Sequence, residues 1–298
     1  RKWYLSHFRQ LSPREVSVSG ARELGTQVHK ALEAWYVPDG QPHTDPREAL
    51  ERVLVEDWTA LTAAADPETG PDPDAVKAYK DQCDLARAII SGYVDWLAET
   101  GVDEDLEVIA PETKLTAEIL PEIALIGKLD VEARRRSDRT RLFIDHKSVG
   151  NLTTPLRTLH LDEQMLTYML LQKLNTPDGE LSSGALYNML RKVKRTARAK
   201  PPFYERIEVQ HNAHEIDSFH ARLIGTITVI LEVIKQLLEG ADHRVVAYPS
   251  PTSDCSWDCD FLAICSMMDD GSRVEDFISE IYVQVDPLAR YDKDKDKE

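Results

Sequence analysis

Two short segments carry residue types that can do chemistry: Gly127-Lys128-Leu129-Asp130 and Phe143-Ile144-Asp145-His146-Lys147. Each sets a carboxylate at the end of an apolar, strand-like run, and the second adds a lysine two residues on. Strand side chains alternate faces, so Asp145 and Lys147 are expected to point one way and His146 the other. Two converging carboxylates and an ammonium at one sheet edge are what metal-dependent phosphodiester cleavage needs. The acids hold a hard divalent cation and the lysine helps position or deprotonate water. Aspartate is depleted in strands, so two of them at strand ends call for a reason beyond packing.

Other residues could join this pair. Glu112 follows Pro111 in a strand-like run and reads first as an edge-strand glutamate. His29 lies on the apolar stripe of a helical segment, where a lone histidine reads first as a core residue, and Gly25 one turn earlier would let another backbone or a ligand come close. Gln164 and Tyr168 are four apart and share a helix face. Cys255, Cys259 and Cys265 form a compact thiolate group with Trp257 and Phe261 between them, and three soft ligands select zinc or iron–sulfur over magnesium. Cys83, the fourth cysteine, sits among apolar neighbours and reads as a buried free thiol.

Elements that would position these groups follow from punctuation and periodicity. Ser19 is placed to cap a helix through about Tyr36, Thr44-Asp45-Pro46 to start a second, and Asp72-Pro73 a third that Gly101 ends. Three strands are expected over 106–116, 124–133 and 141–147, then a helix over 162–174, a strand over 184–190 and a long helix over 213–238. Residues 15–105 thus form a helical part, 106–210 a sheet core and 211–285 the long helix with the cysteine segment, all within one domain over 1–285. The alternating Asp-Lys stretch near the end assigns 286–298 to a disordered tail.

Composition narrows the class. With 298 residues and 42% hydrophobic content the chain can build a large core. No apolar run is long enough to cross a bilayer and no signal peptide is visible, so a cytoplasmic protein without membrane partners is expected. The chain opens at Arg1 rather than methionine, and the expectation is that an upstream piece is missing. A formal net charge of -16 argues against indiscriminate coating of nucleic acid. It leaves room for a local basic track, because charges are screened beyond about 8 Å in physiological salt. Two stretches qualify: Arg134-Arg135-Arg136 with Arg139 and Arg141, and Arg191, Lys192, Lys194, Arg195, Arg198 and Lys200.

Together these residues resemble the RecB-like branch of the PD-(D/E)XK nucleases, over most of the chain. Gly25 to His29 is similar to the branch's helical glycine-and-histidine motif, Gly127 to Asp130 to its Gly-x-x-Asp motif, Asp145 to Lys147 to its Asp-x-Lys motif, and Gln164 to Tyr168 to its Gln-x3-Tyr motif, all in order and on the right element types. The resemblance implies an α/β restriction-endonuclease-like core, a central mixed sheet flanked by helices, with a helical N-terminal lobe and a C-terminal cysteine segment. It implies that His29, Asp130, Asp145 and the His146 carbonyl ligate Mg²⁺ or Mn²⁺, that Lys147 serves the nucleophilic water, and that Gln164 and Tyr168 orient the DNA strand. The implied activity is a DNA exonuclease acting on ends or single strands in recombination, repair or phage DNA processing, with a helicase or recombination partner for any unwinding. The alternative is a non-catalytic DNA-end-binding or adaptor module on the same fold. Some members of the branch hold a [4Fe-4S] cluster with one N-terminal and three C-terminal cysteines, and Cys255, Cys259 and Cys265 resemble the trio, with x3 where x2 is usual. For the fourth ligand three readings stay open: loss with an upstream piece, substitution by Cys83, or no cluster in this form.

Overall fold

The computed structural model describes residues 1–291 apart from Val16, Pro67, 177–180 and Trp257. The expected tail therefore lies largely outside the described residues, as does Trp257. The chain divides into two compact units, one of residues 18–222 and one of residues 1–17 with 223–298. In the smaller unit a helical turn over Tyr4–Phe8 precedes a short strand, β1 (Leu11–Pro13).

The larger unit opens with three helices, α1 (Ala21–Glu33), α2 (Pro46–Ala63) and α3 (Pro73–Thr100). Asp45 and Asp72 accept hydrogen bonds from backbone N–H groups in the first turns of α2 and α3, each with proline in the first turn as expected. Gly101 ends α3 in the left-handed conformation at φ 62°. At α1 the cap falls on Gly20 rather than Ser19, with no side-chain hydrogen bond.

Where two long strands were expected, the structure has four: β2 (Leu106–Pro111), β3 (Lys114–Leu120), β4 (Ile123–Lys128) and β5 (Val131–Arg135). Glu112 breaks the first run, at φ 46°, and its N–H bonds the carbonyl of Asp130, which breaks the second. Glu112 is thus a turn residue, not mid-strand. The outer halves, β3 and β4, pair as a separate hairpin. The inner halves join β6 (Arg141–Val149), β7 (Gly184–Arg191) and β8 (Tyr204–Gln210) in a mixed sheet ordered β2-β5-β6-β7-β8. Only β6 and β7 run parallel, and a crossover through α4 (Thr153–Leu156) and α5 (Glu163–Asn175) connects them. The strand β8 was not anticipated: its mixed polar pattern, Tyr-Glu-Arg-Ile-Glu-Val-Gln, suits a sheet edge.

The sheet has two working faces. Val131, Ala133, Leu142, Ile144 and Leu190 join the core formed with α1–α3. On the other face Phe143 meets Tyr168 of α5 edge-on, and α5 also packs on the β3–β4 hairpin. A β-carbon at Gly127 would come within 2.8 Å of Leu171 and 3.1 Å of Tyr168, so this glycine lets the helix and hairpin meet.

In the smaller unit, the later part of α6 (Ala213–Leu238) is followed by α7 (His243–Val246), α8 (Leu262–Cys265), α9 (Val274–Ile281) and β9 (Tyr282–Gln284). The strand β9 pairs antiparallel with β1. Tyr4, Leu5, Leu11, Phe261, Ile264 and Tyr282 share its core. No described helix is long and apolar enough to cross a membrane.

Candidate active site

The site forms where β6 outruns β5. Their register ends at Val131 opposite Ile144, so beyond that point β6 borders the turn carrying Asp130 instead of a strand. The N–H of His146 then donates to Asp130 Oδ2 at 2.8 Å. From α1, His29 Nδ1 lies 3.3 Å from Asp130 Oδ1. On the α5 face, Lys147 Nζ stands 2.9 Å from Asp145 Oδ2 and donates to Gln164 Oε1 at 2.6 Å. The Gln164 amide in turn donates to Asp145 Oδ1 (3.2 Å) and to the Tyr168 hydroxyl (2.8 Å). Strand alternation works as expected: Asp145 and Lys147 share a face, and the His146 ring is buried against Tyr36 and, edge-on, His29. Six residues from four stretches of the chain, His29, Asp130, Asp145, Lys147, Gln164 and Tyr168, thus belong to one connected group. Gly25 is less constrained than its motif implies, since a β-carbon there would only touch Ser148 Oγ at 3.5 Å.

Charge in this group is strongly biased. Burial lifts Asp145 to about 6, with the Lys147 ammonium opposing and Asp130 adding to the rise. Burial would lift Asp130 too, but the hydrogen bond and charge of His29 hold it down at about 2. Burial pulls His29 down, yet the Asp130 hydrogen bond and the charges of Asp130 and Asp145 leave it raised overall, helped by the His146 backbone. Burial pushes the His146 ring to about 3, so it is neutral. For Lys147 burial is outweighed by Asp145 and Asp162, and its pKa is raised.

As the side chains stand, no three His, Cys, Asp or Glu among the described residues are arranged to hold a metal ion. The side chains are paired with one another instead: Asp130 engages both oxygens, with His29 and the His146 N–H, and Asp145 Oδ1 engages Gln164. The donors nevertheless fit a hard divalent cation. Asp145 Oδ2 is buried without an aligned hydrogen-bond donor, despite the nearby ammonium. Carboxylate oxygens with one imidazole suit Mn²⁺ or Mg²⁺.

Sequence reasoning missed several neighbours. Asp162 caps α5 through Oδ1 and places Oδ2 3.7 Å from Lys147 Nζ. On β7, Asn188 contacts His146 Nδ1 at 2.9 Å and donates to the Tyr93 hydroxyl at 2.8 Å. Tyr93 meets Tyr36, and both accept from Arg206, which pairs with Asp103. A buried asparagine inside Gly-Ala-Leu-Tyr-Asn-Met-Leu was the available signal.

The basic stretches are more engaged than their charge suggests. Arg135 pairs with Glu208, Arg136 with Asp39, Arg139 with Glu107 and Arg141 with Glu132. In the second stretch Arg195 is a packing residue: it donates to the Gly92 carbonyl and lies over Phe203 and Tyr204. Lys194 lies 3.5 Å from Asp84, and Arg191 donates to the Lys200 carbonyl. Lys192 is half-buried, and Arg198 and Lys200 are exposed. The Lys192 N–H bonds the Val149 carbonyl, so the stretch leaves the sheet at the strand end that lies beyond Lys147.

In the smaller unit, Arg1 donates to the Cys265 carbonyl, and Trp3 and Cys259 pack on one core. The cysteine segment and the N-terminal residues therefore meet. The three sulfurs do not form a metal-holding group as they stand, and Cys255 Sγ accepts the Thr252 N–H at 3.4 Å. Cys83 is buried in the core of the larger unit.

A family model described as the PD-(D/E)XK nuclease superfamily matches residues 1–266. The chain belongs to the PD-(D/E)XK nuclease superfamily. Its five-stranded mixed sheet with flanking helices is that fold, and nucleases of this superfamily typically use Mg²⁺ or Mn²⁺. No curated protein matches the chain.

Proposed function

We propose that this PD-(D/E)XK chain is a metal-dependent DNA exonuclease of the RecB-like type, working on ends or single strands in recombination, repair or phage DNA processing. The observation that carries the nuclease reading is the buried Asp145 carboxylate, 2.9 Å from the Lys147 ammonium and one peptide from the Asp130–His29 pair. His29, Asp130, Asp145 and the His146 carbonyl would hold the cation, which when bound would supply charge stabilisation and a more acidic water. Lys147 holds and orients the attacking water, and Gln164 and Tyr168, already hydrogen-bonded together, align the strand. The exonuclease mode and the pathway rest on the motif resemblance.

End-labelled linear DNA and closed circular DNA, each with Mn²⁺, Mg²⁺ or EDTA, test this reading. Metal-dependent loss of linear DNA with circles intact is expected. Nicking of circles would make the enzyme an endonuclease, and binding without cleavage would leave the end-binding module. In the basic stretch, Lys192, Arg198 and Lys200 are the candidates for phosphate contacts. Neutralising all three should flatten the salt dependence of binding by about 0.7–0.9 log units per contact. Neutralising Arg195 should instead lower stability.

The cysteine trio is proposed to hold a [4Fe-4S] cluster that staples the cysteine segment to the N-terminal residues, which requires the sulfurs to turn toward one another. Iron analysis and absorbance after anaerobic purification test it, and protein without iron would overturn it.

A further inference from the structure

Lys147 has a second acidic neighbour that no motif names. Its Nζ lies 2.9 Å from Asp145 Oδ2 and 3.7 Å from Asp162 Oδ2, with Gln164 Oε1 at 2.6 Å and the Tyr187 ring 6.0 Å away. Asp162 is held at both oxygens. Oδ1 accepts the Gln164 N–H at 3.0 Å, capping α5, and Oδ2 accepts the Tyr187 hydroxyl at 3.2 Å. Tyr187 is fully buried on β7, in register with Asp145 on β6. Helix capping explains neither feature of this arrangement. Serine or asparagine would cap equally well, and a cap needs neither a buried tyrosine nor an ammonium.

The second carboxylate has a use once a cation is bound. Asp145 then shares its charge with the cation, and its attraction for Lys147 weakens. Asp162 stands outside the proposed ligand set, so its charge remains for the lysine. We propose that Asp162, anchored by Tyr187, is a positioning residue: the counter-ion that keeps the Lys147 ammonium in place when Asp145 is engaged by metal. This rests on the nuclease reading above.

The test uses Asp162→Asn, which keeps the cap and can keep the Tyr187 bond while removing the charge. The expected result is turnover lowered about tenfold, a barrier change of about 1.4 kcal/mol, at unchanged KM. Mn²⁺ affinity by calorimetry and Tm should stay unchanged. With Mn²⁺ bound, labelling of Lys147 by an amine-specific reagent, followed by peptide mass spectrometry, should be several-fold faster. Tyr187→Phe should shift turnover and labelling the same way by a smaller factor. Turnover within twofold of the parent with unchanged labelling overturns the proposal, as does weakened Mn²⁺ binding, which would place Asp162 in the metal site. Asp145→Ala serves as the control. If the parent protein cleaves no DNA, the nuclease reading fails, and the labelling rates alone decide whether Asp162 holds Lys147.

Discussion

Two neighbouring strands each bury a carboxylate on the same face of the sheet, and the two are treated differently. Glu132 on β5 accepts from Arg141 at 2.6 Å and from Gln172 at 2.9 Å. Gln172 also accepts the Ser182 N–H at 2.7 Å, tying the end of α5 to the chain entering β7. Asp145 on β6 is more deeply buried, at 2% exposure against 8%, yet keeps an oxygen without an aligned donor. Burial of a charge therefore does not separate scaffold from site. The distinction is in the partners: Glu132 is held by Arg141 and Gln172, which tie β5 to β6 and α5, whereas Asp145 faces the Lys147 ammonium at 2.9 Å and lies one peptide from the Asp130–His29 pair.

The largest expected contrast is in activity. Asp145→Ala should cut cleavage by about a thousand-fold or more while the protein stays folded. Glu132→Ala should leave turnover of the folded protein unchanged, measured at a temperature where both are native. Near-normal cleavage by Asp145→Ala would dissolve the comparison.

Stability should show the reverse. Glu132→Ala removes the buried carboxylate on which the Arg141 guanidinium and the Gln172 amide converge. The cost should be about 2–3 kcal/mol in a urea titration, below that of a fully buried pair because Arg141 keeps some access to water.

Asp145→Asn should instead stabilise the metal-free protein at pH 7. The native carboxyl titrates near 6 and the unfolded one near 3.8, so the native state binds more protons between these values. Its stability contribution falls as pH rises through that window. Removing the charge should recover about 1–3 kcal/mol at pH 7, shrinking toward zero below pH 4. A gain that persists at pH 3 would locate the effect in packing.

The last effect is a proton–metal competition. Mn²⁺ affinity should fall by up to about a hundredfold per pH unit below pH 6, as the protons on Asp145 and on His29, both with raised pKa values, must leave first. A slope of only about tenfold between pH 5 and 6 would mean that one of the two is not a ligand, and a flat profile that neither is.

Much of this molecule was legible locally. Asp45-Pro46, Asp72-Pro73 and Gly101 marked helix ends because capping is settled within a few residues. Alternation on β6 put Asp145 and Lys147 on one face, and the four-residue spacing put Gln164 and Tyr168 on one side of α5. The division of two expected strands into four was not legible, because Glu112 and Asp130 bend the chain through a hydrogen bond that forms only when two distant runs pair.

By itself, then, the sequence determined which residue types were available for chemistry, their order and the elements that carry them, since propensity, capping and periodicity are properties of neighbours. Tertiary structure decided how each charge is used. It assigned Arg195 to packing on Phe203 and Tyr204, Arg141 to Glu132, and Asp162 to the side of Lys147. It also left the three cysteine sulfurs ungathered. These outcomes depend on desolvation and on how separate elements pack against one another, and no local pattern encodes either.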